Sequence, residues 1–359
     1  MNVCFRVDSS RWIGTGHVMR CLVLAEQLQL NGAEVTFVCR RLPGDLTGFI
    51  ENRGYGLRTL PSLQSTDQKH YFQWFRENWK LDAMQTINFI RKKQVDWLVI
   101  DHYAIDEKWE QFTKPYANQI MVIDDLADRP HNCKVLLDQN FYPNSQKRYE
   151  HLVGPQTIML LGPKYFLLRE EFKFVRQRER DGAVTRILIS FGGSDPTKET
   201  LKALKAVQCL NNTECIIDVV IGKSNLDYVS IKSICADNPN IRMHYQIDYI
   251  AELMAKADLS IGAGGSTTWE RCYLSLPAIT IETAENQSEI LYSLSKLGVV
   301  YHLGTSEDVD EKDIARAVKK LMENPRVLEK MIKSSKEIMK DFESGLAVRQ
   351  LLGGSRDEE

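Results

Sequence analysis

Short apolar runs alternate with helix-like patterns along the first half of the chain. Continuous apolar runs predict buried strands, whereas apolar positions separated by three and four residues predict the helices between them. This alternation is typical of a parallel, doubly wound sheet. The predicted strands are 3–7, 34–39, 96–100, 119–123 and 134–137, and the predicted helices are 18–30, 83–93 and 106–114.

A charged stretch, KFVRQRERDGAVTR at 173–186, interrupts this rhythm. The alternation then restarts, so we interpret the stretch as a linker between two α/β domains, which would leave a ligand cleft between two sheet edges. We place an N-terminal Rossmann-like domain at 1–175, a C-terminal one at 182–350 and a disordered tail at 353–359. The second domain is predicted from strands 186–190, 216–221, 241–245, 259–261 and 278–281, and from helices 311–322 and 326–342.

Aromatic residues cluster between positions 67 and 80. The cluster consists of Tyr71, Phe72, Trp74, Phe75 and Trp79. Their spacing favours packing, within a helix or an insertion. We therefore predict no chemical role for them.

The composition and net charge of the chain argue against nucleic acid and membranes as its partners. With 43% hydrophobic and 26% charged residues among 359, the chain has the composition of an ordinary globular protein. Its formal net charge of −2, without a basic stripe, argues against a nucleic-acid or anionic-membrane surface. No apolar run approaches the ~20 residues of a membrane span. The first apolar run is too short for a signal peptide, so we expect a cytoplasmic protein.

Cysteine and acid spacing bear on metal binding. The eight cysteines are scattered, without a Cys-x-x-Cys pair, and we interpret them as reduced core residues. There is no His-Glu-x-x-His, and His131 and Cys133 alone do not form a site. Asp124 and Asp125 could bind a metal, but either could instead cap the next helix. We predict no metal and no cofactor.

A glycine-rich turn near the start of the chain combines several features of a ligand site. The stretch FRVDSSRWIGTGHVMR at 5–20 leads from the first strand into the first helix, with Gly14, Gly16 and His17 in the turn. Such a turn gathers backbone N–H groups and the positive end of a helix. It lies at the carboxyl edge of the sheet, where open α/β folds bind ligands. Taken alone, the turn could equally be an ordinary connection with His17 as a polar cap.

Polar residues also follow later strands. Asp101, His102 and Tyr103 end the stretch VDWLVIDHY, which directs them to the same edge as His17. In the second half, Asn286 and Gln287 follow a strand end. Their amides both donate and accept hydrogen bonds, which suits sugar hydroxyl and acetamido groups. The alternative is a helix cap at Asn286 and a solvent-facing Gln287.

Two further glycine turns lie in the second half, and the first of them is not a Walker A loop, because no glycine precedes Lys198. Their N–H groups and hydroxyls suit diphosphate oxygens, and an acid one helical turn later could accept bonds from two ribose hydroxyls. The turns could instead serve close packing, and the acid could be one favoured at a helix start. The residues are Gly192, Gly193 and Ser194 in one turn, and Gly264, Gly265, Ser266, Thr267 and the acid Glu270 in the other.

Six motifs resemble, in order and spacing, those of the UDP-sugar hydrolases of pseudaminic acid biosynthesis, the PseG family: FRVDSSRWIGTGHVMR, IDHY, LLREEF, FGGSD, GAGGSTTWE and ENQ. That family is similar to GT-B glycosyltransferases, including the lipid II N-acetylglucosaminyltransferase. The resemblance implies an α/β fold of two Rossmann-like domains in a GT-B-like arrangement with an interdomain cleft. It also implies metal-independent hydrolysis of UDP-2,4-diacetamido-2,4,6-trideoxy-β-L-altropyranose to UDP and the free sugar, by anomeric C–O cleavage with inversion.

The resemblance assigns roles to individual residues. His17 becomes the candidate general base, which the usual imidazole pKa near ~6.5 suits. Ile247 matches the position whose backbone contacts uracil, and Glu270 matches the ribose-binding acid. The implied sugar and water contacts are Gly16, Asp101, Tyr103, Asn286 and Gln287; the implied UDP contacts are Gly192, Gly193, Ser194, Ile247, Gly264, Gly265, Ser266, Thr267 and Glu270. We expect a monomer whose partner is a small UDP-sugar, with no nucleic acid and no membrane span.

Two other functions remain open at this point. One is a UDP-sugar glycosyltransferase, or a hydrolase of a related surface-polysaccharide pathway, that uses the same UDP site. The other is a non-catalytic UDP-sugar binder. A binder would need the glycine turns but would not need His17, Tyr103 and Asn286 together, which favours an enzyme.

Overall fold

Two parallel β-sheets, one in each half of the chain, form the framework of this computed structural model, which describes residues 1–63, 67–210 and 215–353. The chain divides into two compact units, Met1–Leu167 with Phe342–Glu359, and Leu168–Asp341. The prediction of an α/β protein with two Rossmann-like domains is confirmed. Among the described residues, no helix is both long and apolar enough to cross a membrane. Most of the predicted tail, residues 354–359, lies outside the described residues.

The first unit is built around a seven-stranded sheet. In chain order its elements are β1 (Asn2–Val7), α1 (Gly16–Leu30), β2 (Glu34–Arg40), α2 (Thr47–Asn52), β3 (Gly56–Leu60), α3 (Gln68–Ile90), β4 (Val95–Asp101), α4 (Glu107–Thr113), β5 (Ala117–Ile123), β6 (Val135–Asp138), α5 (Ser145–Tyr149) and β7 (Ile158–Leu161). All its strands pair in parallel, in the order β3-β2-β1-β4-β5-β6-β7. The order reverses between β1 and β4, and such a switch point leaves a crevice at the carboxyl ends of the two strands.

Alternate residues of β1 face two separate cores. Val3, Phe5 and Val7 lie in the core that includes α1, where the Phe5 ring stacks on Phe37 of β2 at 4.9 Å. Cys4 lies in the other core, with residues of α3 and α4. The sheet is therefore buried on both faces, as its continuous apolar strands predict.

The second unit repeats the architecture with six strands. Its elements are α6 (Glu171–Phe174), β8 (Arg186–Ser190), α7 (Glu199–Gln208), β9 (Ile216–Ile221), α8 (Tyr228–Ala236), β10 (Ile241–Tyr245), α9 (Ile250–Lys256), β11 (Leu259–Ala263), α10 (Thr267–Tyr273), β12 (Ala278–Glu282), α11 (Ser288–Lys296), β13 (Tyr301–Thr305), α12 (Glu311–Met322) and α13 (Pro325–Ile338). Its strands are also parallel, in the order β10-β9-β8-β11-β12-β13. Here the switch point lies between β8 and β11.

The predicted strands are all present, with ends that differ by at most two residues. The pattern missed β3, β7 and β13, which are all edge strands. An edge strand has one neighbour and more exposed positions, as in β3, where only Leu60 is buried. Its apolar signal is correspondingly weak.

The aromatic segment forms the first half of α3, which begins at Gln68, earlier than the predicted start at 83. The helix kinks at Asn78, whose side chain donates to the Trp74 carbonyl at 2.9 Å. A side chain that bonds a carbonyl one turn back competes with the helix ladder, which accounts for the kink.

The C-terminal segment returns to the first unit, where α14 (Leu346–Leu351) contributes Ala347, Val348 and Leu351 to the core beside α1. The Leu351 carbonyl also accepts a hydrogen bond from Trp97 Nε1 at 2.9 Å. The domain assignment from the sequence instead keeps residues up to 350 with the second half. The apolar face of a terminal helix does not by itself reveal which of two cores it covers.

Candidate active site

His17 and Asp101 meet at the switch point of the first sheet. Val7 at the end of β1 is in register with Asp101 at the end of β4, and His17 is the second residue of α1, which follows β1. Nδ1 of His17 lies 2.5 Å from Oδ1 of Asp101. Gly16 is the first residue of the same helix. The structure therefore brings together three of the predicted residues.

Arg20, one turn further along α1, binds the same carboxylate. Its Nε and NH2 lie 2.6 and 2.7 Å from the two Asp101 oxygens, and NH1 lies 2.8 Å from Oδ2 of Asp125. Burial alone would raise the pKa of Asp101, but Arg20 and His17 hold it well below its usual range. Asp101 therefore stays ionised. Arg20 was not predicted as a site residue, although its position three residues after His17 on one helix was a usable signal.

Tyr103 completes the group around the imidazole. Its ring meets that of His17 edge-on, with centroids 4.4 Å apart and planes at 85°. Burial and the Asp125 carboxylate raise the pKa of Tyr103 well above its ordinary value, so the hydroxyl stays protonated. Because the Asp101 contact to Nδ1 is shorter than the 3.1 Å contact to Arg20, we assign the Nδ1 proton to the bond with Asp101. The hydrogen bonds of the His17 ring in the described part of the chain both involve Nδ1, which leaves Nε2 to accept a proton.

A second hydrogen-bonded group lies behind this one and includes Tyr71, for which the sequence predicted packing alone. The Tyr71 hydroxyl donates to the Asp8 carboxylate and lies 2.8 Å from Nε2 of His102. The Ala104 N–H donates to Nδ1 of His102 at 3.1 Å, so the ring proton sits on Nε2. Burial lowers the pKa of His102, which keeps the ring neutral. His102 is thereby fixed between its chain neighbours, the two residues that contact His17.

The adjacent acids considered as metal ligands have other partners. Asp124 contacts Arg129 at 2.9 Å and accepts from the Ala127 N–H at 2.9 Å and the Tyr149 hydroxyl at 3.1 Å. Asp125 contacts Arg20. Over residues 1–63, 67–210 and 215–353, no group of three or more His, Cys, Asp or Glu residues is arranged to hold a metal ion.

The two glycine turns of the second unit follow β8 and β11, the strands on either side of its switch point. Gly192 has a φ of +85°, a conformation that favours glycine. A Cβ on Gly222, after β9, would lie 2.4 Å from the Gly193 carbonyl oxygen, so the loops after β8 and β9 touch. Ser194 follows in the same turn. The predicted residues 192–194 thus lie beside the crevice of the sheet.

The turn after β11 leads into α10, whose first residue is Thr267. Ser266 occupies the N-cap position and makes no capping side-chain bond. A Cβ on Gly264 would lie 2.6 Å from Leu291, so this glycine permits close packing against α11. Gly265 is half-buried and has open space at the corresponding position.

Glu270 lies on α10 and is already paired. Its two carboxylate oxygens accept from Nε and NH2 of Arg169 at 2.6 and 2.9 Å. NH1 of Arg169 contacts Glu171 at 2.6 Å. To bind two ribose hydroxyls, Glu270 would have to give up at least part of this bidentate pair. Arg169 is a further residue that sequence reasoning missed, although it stands in the motif LLREEF.

Asn286 and Gln287 lie in a short 3₁₀ turn after β12, and their environments differ. Gln287 Oε1 accepts from the backbone N–H groups of Gly264 at 3.2 Å and Thr283 at 3.1 Å. Gln287 therefore supports the glycine turn, whereas Asn286 is exposed. Ile247 is half-buried in the loop between β10 and α9, after Gln246 with its φ of +53°.

Comparisons with known proteins agree with this architecture. Residues 187–346 match the glycosyltransferase family 28 C-terminal domain. The chain is 29% identical over 298 residues to the UDP-2,4-diacetamido-2,4,6-trideoxy-beta-L-altropyranose hydrolase of Campylobacter jejuni, covering 83% of this chain and 97% of that protein. It is 23% identical over 327 residues to the spore coat polysaccharide biosynthesis protein SpsG of Bacillus subtilis, covering 90% and 89%.

A solved structure extends the likeness to the whole fold. The crystal structure of Acinetobacter baumannii MurG aligns with a TM-score of 0.64 at 13% identity and covers 98% of each chain. At this identity the likeness concerns the fold. The resemblance drawn from the motifs is therefore confirmed: residues 187–346 match the glycosyltransferase family 28 C-terminal domain, and the chain is similar over most of its length to the hydrolase of Campylobacter jejuni.

Proposed function

We propose that this protein hydrolyses UDP-2,4-diacetamido-2,4,6-trideoxy-β-L-altropyranose to UDP and 2,4-diacetamido-2,4,6-trideoxy-L-altrose, in pseudaminic acid biosynthesis. The observation that carries the proposal is the buried contact between His17 and Asp101, which engages Nδ1 of the imidazole and leaves Nε2 for another partner. An oriented imidazole beside an ionised carboxylate is an arrangement suited to a general base. The Campylobacter jejuni relative carries this activity in its name.

In the proposed reaction, Nε2 of His17 accepts a proton from water while the water oxygen attacks the anomeric carbon of the sugar. The C1–O bond to the diphosphate breaks, and its electron pair leaves with UDP. A single displacement of this kind inverts the anomeric configuration. Asp101 stabilises the imidazolium that forms, and Tyr103 holds the ring.

The second unit is proposed to bind the leaving group. Backbone N–H groups of Gly193, Gly265 and Ser266 would donate to the diphosphate, whose negative charge increases as the bond breaks. Glu270 would accept from the ribose, and the backbone of Ile247 would contact the uracil. The remaining contacts in this proposal are Gly192, Ser194, Gly264 and Thr267 to UDP, and Gly16, Asp101, Asn286 and Gln287 to the sugar or water.

A glycosyltransferase is the second candidate, favoured by the family 28 domain match over 187–346 and by the likeness to MurG. In that case His17 would take its proton from an acceptor hydroxyl instead of water. The two functions differ in whether the donor turns over when water is the sole acceptor.

The test is NMR of the pure protein incubated with the UDP-sugar and no added acceptor. The proposal expects UDP and the free sugar to appear together, with the inverted anomer formed first and mutarotation following. In H₂¹⁸O, the label should enter the sugar and not UDP, because C1–O is the bond that breaks. An intact donor that binds without turnover favours a binder, and turnover that requires an added sugar or lipid acceptor favours the transferase.

A further inference from the structure

A buried guanidinium lies beneath the two glycine turns of the second unit. Arg271, on α10, has 2% of its surface exposed. Its NH2 donates to the carbonyl of Ala263, the last residue of β11, at 2.7 Å and to Thr268 Oγ1 at 3.0 Å. A Cβ on Gly262 would lie 2.7 Å from NH1 of Arg271 and 2.5 Å from the carbonyl oxygen of Ser190. Arg271 therefore lies where β8 and β11 end side by side, at the switch point.

No carboxylate hydrogen-bonds this guanidinium in the part of the chain that the structure describes. Both carboxylate oxygens of the neighbouring acid, Glu270, accept from Arg169, and Nε of Arg271 has no hydrogen-bond partner among the described residues. Burial lowers the pKa of Arg271 to about 10, against the opposing effects of Cys272 and Glu270, so the group is charged at neutral pH. A buried cation without a hydrogen-bonded anion is costly, and its retention calls for an anion that is supplied from elsewhere.

We infer that Arg271 supplies a buried positive charge for a diphosphate bound at the two glycine turns, and that it also holds the second turn in shape. The inference rests on the proposed function, since it assumes that the second unit binds UDP. A fixed cation in a low-dielectric interior acts over a longer range than a solvated one, so it need not touch the ligand. Its bonds to Ala263 and Thr268 fix the two ends of the turn at 264–267. Arg271 is therefore a positioning and electrostatic residue, not a catalytic one.

The same unit contains a matched control. Arg180 also donates to carbonyls, those of Met254 and Ala257 at 2.9 Å and of Leu274 at 2.6 Å. Burial, together with Arg178, lowers the pKa of Arg180 to about 10 as well. Ala257 and Leu274 precede β11 and β12, so Arg180 lies at the amino edge of the sheet. It offers similar chemistry at the edge opposite the glycine turns.

The experiment measures binding of UDP and of uridine to the full chain by calorimetry. Relative to the wild type, Arg271→Met should weaken UDP binding by about 10-fold while uridine binding changes little, because the lost charge acts on the diphosphate. Arg271→Lys, which retains the charge, should keep the ratio of UDP to uridine affinity close to wild type. Arg180→Met should leave that ratio unchanged, whatever it does to the thermal midpoint. If circular dichroism shows that Arg271→Met does not fold, Arg271→Gln replaces it in the comparison.

Four outcomes would overturn the inference. Wild-type UDP affinity in Arg271→Met would remove any role in binding. An equal loss for UDP and uridine, or a loss of the ratio in Arg271→Lys, would show that only the shape of the turn matters. A wild-type protein that binds no UDP would overturn the proposed function along with this inference, whereas the other outcomes leave the proposed function standing.

Discussion

Nδ1 of His17 and Oδ1 of Asp101 are 2.5 Å apart although 84 residues separate them in the chain. The contact exists because β1 and β4 are neighbours in the sheet, so the residues that follow the two strands converge. A carboxylate on Nδ1 fixes the orientation and tautomer of an imidazole and stabilises its protonated form. This relationship makes His17 the first residue to test.

We expect His17→Phe and His17→Asn to lower kcat by about 10²–10⁴-fold, the usual contribution of a general base. Neither side chain can accept the proton, and asparagine retains polarity, which makes it the stricter variant. UDP affinity, measured by calorimetry, should change little, because the proposed UDP contacts lie in the second unit. Near-wild-type kcat in His17→Asn would make His17 a cap or a sugar contact. If UDP affinity falls together with kcat, His17 belongs to the nucleotide site.

Tyr71→Phe should lower kcat by about 10-fold, with the KM for the UDP-sugar little changed. The variant removes the hydroxyl between Asp8 and His102, at a cost of about 1–3 kcal/mol for the buried acceptor left short of a donor. The rate should be divided by the concentration of protein that binds UDP, so that misfolded protein does not lower the apparent kcat. Tyr55→Phe, on a buried tyrosine that packs against Phe37, is the control and should retain kcat. If the loss of kcat disappears after this correction, Tyr71 contributes to folding and not to turnover.

Glu270→Gln should weaken UDP binding by about 10-fold, as expected when a charged acceptor of ribose hydroxyls becomes a neutral one. Binding of 2′-deoxyuridine diphosphate should fall less, because one of the two hydroxyls is already missing. Glu171→Gln is the matched control, since Glu171 contacts the same Arg169. It should retain the preference for UDP over the deoxy analogue. If Glu270→Gln retains the preference for UDP over the deoxy analogue, Glu270 pairs with Arg169 and does not bind the ribose.

Hydrolysis should survive exhaustive chelation. In the proposed mechanism the N–H groups of the glycine turns and the buried charge of Arg271 stabilise the departing diphosphate. The measurement is UDP release before and after dialysis against EDTA, with metal content checked by elemental analysis. Activity that disappears with EDTA and returns with Mg²⁺ or Mn²⁺ would contradict this prediction.

Stability should depend on pH through Asp138. Burial raises the pKa of Asp138 to about 7, and the nearby Asp125 and Asp124 carboxylates act in the same direction. An unfolded aspartate has a pKa of about 3.9. Between these values the folded state holds a proton that the unfolded state lacks, so the free energy of unfolding falls as pH rises from about 4 to about 7. The loss should be on the order of 2–4 kcal/mol.

Asp138→Asn should remove most of this loss. The Tyr149 hydroxyl, 3.0 Å from Asp138 and 3.1 Å from Asp124, can donate to Asp124 and accept from the new amide. Urea unfolding at pH 5 and pH 8 compares the variant with the wild type and with Asp128→Asn, an exposed carboxylate of the same unit. An equal pH dependence in all three proteins would refute the assignment to Asp138.

The sequence predicted the fold better than the details of the site. The alternation of strands and helices was enough to predict that His17 and Asp101 lie at one edge, because the carboxyl ends of parallel strands meet at the same edge of a sheet. Three of the four edge strands, β3, β7 and β13, were not predicted, since half-exposed strands carry a weak apolar signal. The sequence also did not predict three arginines of the site, and the reason is different: they are Arg20, Arg169 and Arg271. A long cationic side chain is usually solvated, and only the folded chain shows which ones reach a buried partner.

The return of α14 to the first core has a consequence for synthesis. Residues 1–167 leave the ribosome early, yet the helix that covers part of their core is made after the whole second unit. The second unit can therefore fold before the Leu351 carbonyl is available to accept the hydrogen bond from Trp97. The first unit is therefore completed only after the whole second unit has been translated, and a stop codon shortly before 342 would damage the unit that was translated first.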